Sequence, residues 1–234
     1  MIESTLDPMI AGRQKEKRDL ENDEVTKDEN KKRNARPKKE GTYGNKYGEK
    51  RRLEQEHGIT VSGQTHEFEH PIAWATLAAD ADPALKIQRK GGVGEKLEAI
   101  SPAYAETKSS HKEHPGTGRS NEAVQYRSQL GVVLKEDKSP GNAFQISLVE
   151  YAQKPNFIDT AHTPVGRVAS DSYQHMIMNT DSVPYLNNDA SFAFMPLDNH
   201  QKKECIVARW IADNGKYPTE SETEEIIRAA FKRR

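Results

Sequence analysis

The chain has 234 residues, of which 34% are hydrophobic and 30% charged, and its formal net charge is −1. This length supports one or two domains, and no apolar run approaches the roughly 20 residues that a membrane span needs. The single cysteine, Cys205, excludes an intramolecular disulfide, a four-thiolate zinc site and the two-cysteine centre of a zinc deaminase. Any metal ion must therefore be held by histidine and carboxylate side chains.

Residues 1–58 carry many charges and few large apolar side chains, so burial cannot offset the entropy that ordering them costs. We expect a charged, flexible leader there and a folded domain over 59–234. Between Lys31 and Arg52, ten basic residues oppose two acidic ones, which gives a local charge of +8. Two interpretations stay open for this stretch: a solvated tail, or an arm that contacts nucleic-acid phosphates.

From Ile59 onward the pattern is that of a folded domain. The alternation of side chains over 65–72 predicts a short strand or hairpin within 59–72. The Gly-rich run 90–94 predicts a loop, and Ser101-Pro102 predicts the start of a helix over 103–114. Capping residues and apolar spacing predict five more helices: 121–137, 142–153, 171–180, 199–213 and one that begins at Thr219. The predicted fold class is α+β, mostly helical with a small β hairpin.

Two short clusters concentrate the side chains that can bind a metal ion. The first cluster contains His66, Glu67, Glu69 and His70, and the second contains His111 and His114. A neutral imidazole can take a proton from water, and a divalent cation can stabilise the charge on a phosphate, so this set suits phosphodiester hydrolysis. The alternative from another class is a non-catalytic binding module in which the histidines pack or hold a structural metal.

The segment 66–70 also matches His-Glu-x-x-His, the zinc-protease pattern, in which a helix places both histidines on one face. Pro71 opposes a helix here, because it removes the hydrogen bond to the carbonyl of Glu67 and clashes with it, at a cost of about 3 kcal/mol or more. We therefore keep the metalloprotease only as an alternative.

The run 65–70 (THEFEH), followed by 111–118 (HKEHPGTG), resembles the nuclease toxins of the HNH/endonuclease VII superfamily, whose motif is Glu-His…His…His. The resemblance covers about residues 60–185. It implies a ββα-metal (His-Me) finger, in which a β hairpin and a following helix together build the catalytic centre.

The resemblance also implies a role for each histidine and glutamate of the motif. His70 is expected to be the general base, and Glu69, His111 and His114 are expected to bind a divalent metal ion (Zn²⁺, Ni²⁺, Mn²⁺ or Mg²⁺) or to contact its ligands. The four residues together form the predicted catalytic site.

The same resemblance implies a biological setting. It predicts a toxin secreted by a dedicated system, such as a type VI or Rhs-type effector, that acts in the cytoplasm of a recipient bacterium, with DNA favoured over RNA as the substrate. The implied partners are a cognate immunity protein and delivery machinery that contacts the N-terminal region. Candidates for contact with backbone phosphates are Arg119, just after the Gly-Thr-Gly turn, and Lys86, Arg89 and Lys90, between the two clusters.

Overall fold

The computed structural model describes residues 39–78, 87–187 and 189–232. Over these residues the fold is α+β, mostly helical with two small antiparallel sheets. After a 3-10 turn at Tyr43–Asn45 the elements are α1 (Lys46–His57), β1 (His66–Glu69), α2 (Trp74–Ala78), α3 (Gly92–Ile100), β2 (Tyr104–Thr107), α4 (Lys108–Glu113), α5 (Asn121–Lys135), α6 (Pro140–Ala152), α7 (Pro155–Thr160), α8 (Pro164–Asn179), β3 (Ser182–Leu186), β4 (Phe192–Pro196), α9 (Asn199–Asn214) and α10 (Glu220–Lys232). None of the described helices is long and apolar enough to cross a lipid bilayer.

The compact unit begins at Lys39, before the boundary that the sequence predicted at residue 58. Thr42 forms an antiparallel bridge with Pro102, and Leu53 of α1 is completely buried in a small apolar cluster. Residues 39–58, which we expected in the flexible leader, therefore belong to the fold. Residues 1–38 lie outside the described part of the chain, and their role as a leader stays a prediction.

The first sheet pairs β1 with β2 in antiparallel register, with Glu69 opposite Tyr104. Phe68 and Ala105 contact the apolar cluster around Leu53, so the two glutamates that flank Phe68 in β1 belong to the opposite face. The predicted strand within 59–72 is thus present over 66–69. Its partner strand, β2, is distant in sequence and lies in a segment that we expected to be helical.

The predicted helix over 103–114 was wrong in its first half. Ser101 ends α3, where its Oγ donates a hydrogen bond to the Leu97 carbonyl at 2.6 Å, and the chain then continues as β2. The helix α4 starts only after Thr107, whose side chain accepts a hydrogen bond from the backbone of Ser110. The loop that we expected over 90–94 is shorter than predicted, because α3 begins at Gly92.

The later helices follow their local signals closely. Ser120 caps α5, Asp198 forms a capping box that begins α9, and Gly215 ends that helix in the left-handed conformation at φ 64°. Thr219 and Glu222 form the expected capping box before α10. Only α8 begins well before its predicted start, because Thr163 caps it instead of Ser170.

The main core lies between α6, α8 and α9, and it anchors the sheet from one side. Arg209 of α9 is buried and contacts Glu106 of β2 at 3.3 Å and Asp213 at 3.0 Å. The Tyr104 hydroxyl donates a second hydrogen bond to Glu106 at 2.9 Å. Because these buried charges are mutually paired, β2 is held in a fixed position against the helical core.

Candidate active site

A cleft of about 830 Å³ opens beside the β1–β2 sheet. It is bordered by α1 and the turn before it, by β1, by α4 and by the loop that follows α4. Eight of the candidate residues named from the sequence line this cleft: His66, Glu67, Glu69, His70, Arg89, His111, His114 and Arg119. Lys90 is exposed and is not among the lining residues, and Lys86 lies outside the described residues.

Glu69 and His111 form the centre of the site. The Nδ1 atom of His111 is hydrogen-bonded to a carboxylate oxygen of Glu69, and its Nε2 atom lies 3.1 Å from Oε2 of Glu67. Both glutamates belong to the same face of β1, and the start of α4 directly after β2 places His111 against that face. The sequence placed Glu67 in the first cluster and in the zinc-protease pattern but gave it no role in the nuclease site, although its two-residue spacing from Glu69 indicated that the two share a face.

The charges of this pair are mutually stabilised. Burial alone would raise the pKa of Glu69, but its hydrogen bond with His111 and the positive charge of that imidazolium outweigh burial and lower the pKa. Burial would lower the pKa of His111, but its hydrogen bond to Glu69 and the charges of Glu69 and Glu67 raise it. The pair is therefore a carboxylate held against an imidazolium.

His70 follows β1 directly and is 5% exposed. Its ring lies against that of Tyr43, with the ring centroids 4.7 Å apart and an interplanar angle of 31°. Within the described part of the chain, its buried Nε2 atom has no hydrogen-bond partner. Burial, partly opposed by the charge of Glu69, lowers the pKa of His70 to about 4. At neutral pH the ring is therefore uncharged and can accept a proton at its unengaged nitrogen, although with a pKa of about 4 it is a weaker base than an exposed histidine.

His114 does not join the predicted metal-binding set. The helix α4 ends at Glu113, and His114 takes an extended conformation (φ −61°, ψ 127°) that carries it away from the helical face of His111. Its Nδ1 accepts a hydrogen bond from the backbone N–H of Gly116 at 3.2 Å, so its Nε2–H donates to Ser147 Oγ at 3.1 Å. Burial lowers the pKa of His114. Since both nitrogens are engaged, the ring is a neutral structural link to α6.

His114 is also enclosed by aromatic rings. The ring of Tyr151 lies 4.4 Å from its centroid, and that of Tyr126 lies 5.5 Å away at an angle of 86°. This packing fixes the turn at 115–118 to the helical core, which positions the loop that borders the cleft.

Glu69 contacts one ring nitrogen of His111, and Glu67 lies 3.1 Å from the other. A divalent cation could bind His111 beside Glu69 only by displacing the proton that the imidazole shares with that carboxylate, which gives one oxygen and one nitrogen ligand. Such a set suits Mn²⁺, Ni²⁺ or Zn²⁺. Glu69 and His111 are thus the residues that would hold the ion, and the rest of its ligand shell would be water and substrate.

A second group of potential ligands lies elsewhere, in a smaller cleft of about 610 Å³. Glu56, His57 and Asp171 present ligand atoms within 4.8 Å of one another. Arg52 lies 2.6 Å from a Glu56 oxygen and 3.2 Å from an Asp171 oxygen. Because this guanidinium already supplies positive charge to both carboxylates, a metal ion would have to compete with it.

Residues 66–70, which match the zinc-protease pattern, do not form the helix that such a site requires. Residues 66–69 form a strand, and the Nε2 atom of His66 lies 3.0 Å from the carbonyl oxygen of Val165. A zinc protease needs the two histidines on one face of a helix, so the arrangement of 66–70 argues against this alternative.

Comparison with protein-family models, with curated proteins and with solved structures found no match for the chain. The function must therefore be argued from the chemistry of the cleft.

Basic side chains surround the cleft, and one of them, Arg127, was not expected from the sequence. Arg119 is exposed beside the turn, whereas Arg89 is paired with Glu98 at 2.7 Å. Arg127 donates to the carbonyls of Gly116 at 2.7 Å and Gly118 at 3.0 Å, so it holds the turn in place. Lys46 and Lys50 enter from α1. The rim thus carries positive charge around an acidic and imidazole centre.

Proposed function

We propose that this chain is a divalent-metal-dependent nuclease that hydrolyses phosphodiester bonds in the cleft, with His70 as the general base. One observation carries the proposal. A buried, neutral histidine with an unengaged nitrogen stands next to the Glu69–His111 pair, in a cleft with a basic rim. This combination provides a proton acceptor, ligands for a cation and positive charge for phosphates.

The order of the elements supports the same proposal. Two antiparallel strands are followed directly by a helix, the proposed base comes just after the first strand, and the helix supplies His111. This is the arrangement expected of a ββα-metal finger. The long connection between β1 and β2, which contains α2 and α3, distinguishes this chain from a simple hairpin.

The residues divide the chemistry between them. When bound at Glu69 and His111, a divalent cation would stabilise the charge on the phosphate and on the leaving oxygen. The Nε2 atom of His70 is the proposed acceptor of the proton from the attacking water, which must reach an atom that is buried in this structure. The ring of Tyr43, tilted by 31°, packs against the imidazole. Arg119 binds a phosphate next to the one that reacts. His114 positions the turn and takes no direct part.

The biological setting belongs to the same proposal and depends on the sequence resemblance alone. We infer that the nuclease is a secreted antibacterial toxin that acts in the cytoplasm of a recipient cell, and that the producing cell makes an immunity protein against it. Co-purification of the toxin with the product of a neighbouring gene would test the partner.

The nuclease proposal is tested by incubating the purified chain with plasmid DNA, single-stranded DNA and total RNA, with and without EDTA. We expect cleavage that EDTA abolishes and Mn²⁺ restores. His111→Ala should require at least about tenfold more Mn²⁺ for half-maximal cleavage. His162→Ala changes an exposed histidine that does not line the cleft and should behave like the wild type. Cleavage that persists in EDTA, or no cleavage of any substrate, would contradict the proposal.

A further inference from the structure

One wall of the cleft is a row of alternating tyrosine and lysine side chains, which we call the aromatic–basic row. It consists of Tyr43, Lys46, Tyr47 and Lys50, and all four line the cleft. Their spacing of three, one and three residues places them on one face of a helix. A helix usually buries its aromatic face, but this one faces the cleft, and Tyr47 is 66% exposed.

The row makes a continuous series of contacts from the proposed base to solvent. Tyr43 stacks on His70 at 4.7 Å. The ammonium group of Lys46 lies 4.0 Å from the centroid of the Tyr43 ring and 5.6 Å from that of Tyr47. It also donates a hydrogen bond to the Tyr43 hydroxyl at 2.9 Å. A strand that follows this wall would therefore be led directly to His70.

The outer end of the row is poorly engaged within the protein. Lys50 contacts only the distant carboxylate of Glu54, at 3.7 Å, among its charge pairs in the described residues. Such an exposed pair contributes little, so the ammonium is available to a stronger anion. Tyr47 offers an aromatic face 5.6 Å from the Lys46 ammonium, and Lys50 lines the same cleft. An aromatic face with ammonium groups nearby is the combination that binds nucleic-acid bases and their phosphates together.

We propose that the aromatic–basic row binds single-stranded nucleic acid, with one base stacked on Tyr47 and adjacent phosphates contacted by Lys46 and Lys50. This inference rests on the proposed function and names its substrate class. In a duplex both faces of each base are already covered by neighbouring bases, so only an unpaired base can use Tyr47. A cleft of about 830 Å³ whose central His70 is 5% exposed also favours a flexible strand over a rigid duplex.

The test measures binding without cleavage. Fluorescence anisotropy in EDTA compares three labelled probes: a dT12 strand, a rU12 strand and a 12-base-pair duplex. The wild type should bind one or both single strands at least about tenfold more tightly than the duplex at equal salt. Tyr47→Ala should weaken that binding about tenfold, and Tyr47→Phe should stay within about twofold of the wild type.

Tyr217 provides a matched control, because it is 84% exposed and lies at a different pocket. Tyr217→Ala should bind all three probes like the wild type. No binding of single strands, equal affinity for duplex and single strand, or wild-type binding by Tyr47→Ala would overturn the proposal. The difference between dT12 and rU12 identifies the sugar that the row accepts.

The failure of this inference can be told from a failure of the nuclease proposal. Tyr47-dependent binding by a chain that cleaves nothing would leave the aromatic–basic row in place and remove the catalytic function. If the chain cleaves nucleic acid but its binding of single strands does not depend on Tyr47, the nuclease proposal stands and the role of the aromatic–basic row fails.

Discussion

Two of the buried clusters in the described residues combine histidine with carboxylate, and they differ in the cation that balances the carboxylate. In the cluster between α1 and α8, the carboxylate of Glu49 receives hydrogen bonds from Arg52 at 2.7 Å and from Ser172 at 2.8 Å. His175 contacts its other oxygen at 2.9 Å. This cluster is closed around its charge, so it holds α1 against α8.

The cluster in the cleft is built from the same residue types but is left open. Glu69 is paired with His111, whereas the adjacent His70 keeps a nitrogen without a partner among the residues described. No arginine among the described residues pairs with Glu69 or His111. Arg52, by contrast, neutralises the carboxylate of Glu49. The two clusters therefore have similar composition but differ in the cation that balances the central carboxylate.

The largest expected effect comes from deleting parts of the N-terminal region. Removal of residues 1–38 should leave a cooperatively folded protein, because the compact unit begins at Lys39. Removal of residues 1–58 also deletes Glu49 and Leu53, so it should abolish cooperative thermal unfolding followed by circular dichroism. An unchanged melting temperature in the shorter protein would contradict the role of α1.

Replacement of a single arginine should open the closed cluster. Arg52→Ala leaves the carboxylates of Glu49 and Asp171 without their guanidinium and should lower the free energy of unfolding by about 3 kcal/mol. Arg51→Ala changes the exposed neighbour and should stay within about 0.5 kcal/mol of the wild type. Chemical denaturation measures both values, and equal effects would show that the ion pairs of Arg52 are not specific.

The closed cluster should also set the acid stability of the protein. Burial would raise the pKa of Glu49, but the hydrogen bonds and charges of Arg52 and His175 outweigh it and lower that pKa from 4.5 to about 2. Because the pKa of Glu49 is lower in the folded state, its ionisation stabilises the fold by about 3 kcal/mol above pH 4.5. This stabilisation is lost as the pH falls toward 2.

Denaturation midpoints between pH 2 and pH 6 measure this dependence. Glu49→Gln should be less stable than the wild type at pH 6 and should lose less stability on acidification. If the stability of the two proteins falls equally between pH 6 and pH 2, Glu49 does not determine the acid stability.

The smallest of these effects separates His114 from His111. His114→Ala removes a buried ring that packs on Tyr151 and bonds to Ser147, so it should cost about 2 kcal/mol of unfolding free energy. Its affinity for Mn²⁺, measured by calorimetry, should stay within about twofold of the wild type, unlike that of His111→Ala. Equal losses of Mn²⁺ affinity in both variants would restore His114 to the metal site.

The sequence predicted those parts of the fold that depend on neighbouring residues. Ser120, Asp198 and Gly215 mark helix ends through hydrogen bonds or backbone angles within a few positions, so their signals survive in any context. Ser101-Pro102 shows the limit of this reasoning. The pair looks like a helix start, but a bridge from Thr42 to Pro102 and the pairing of β2 with β1 determine its actual structure.

The sequence predicted which residues belong to the candidate site better than it predicted their arrangement. The sequence identified Glu69, His70 and His111 and placed them near one another, but the end of α4 decides that His114 turns away. The charges of α1 looked like those of a solvated tail because their partners, such as Asp171, lie more than a hundred residues away. The residues next to these charges in the sequence do not indicate that their partners are so distant.

The central claim is that the open cluster carries the chemistry through His70. The most direct test is the single-turnover rate of nucleic-acid cleavage by His70→Ala at saturating Mn²⁺, compared with His200→Ala, which changes a histidine side chain that is 80% exposed and lies outside the cleft. We expect a loss of at least about 100-fold for His70→Ala, with its cooperative unfolding retained, and an unchanged rate for the control. A wild-type rate in His70→Ala would contradict it.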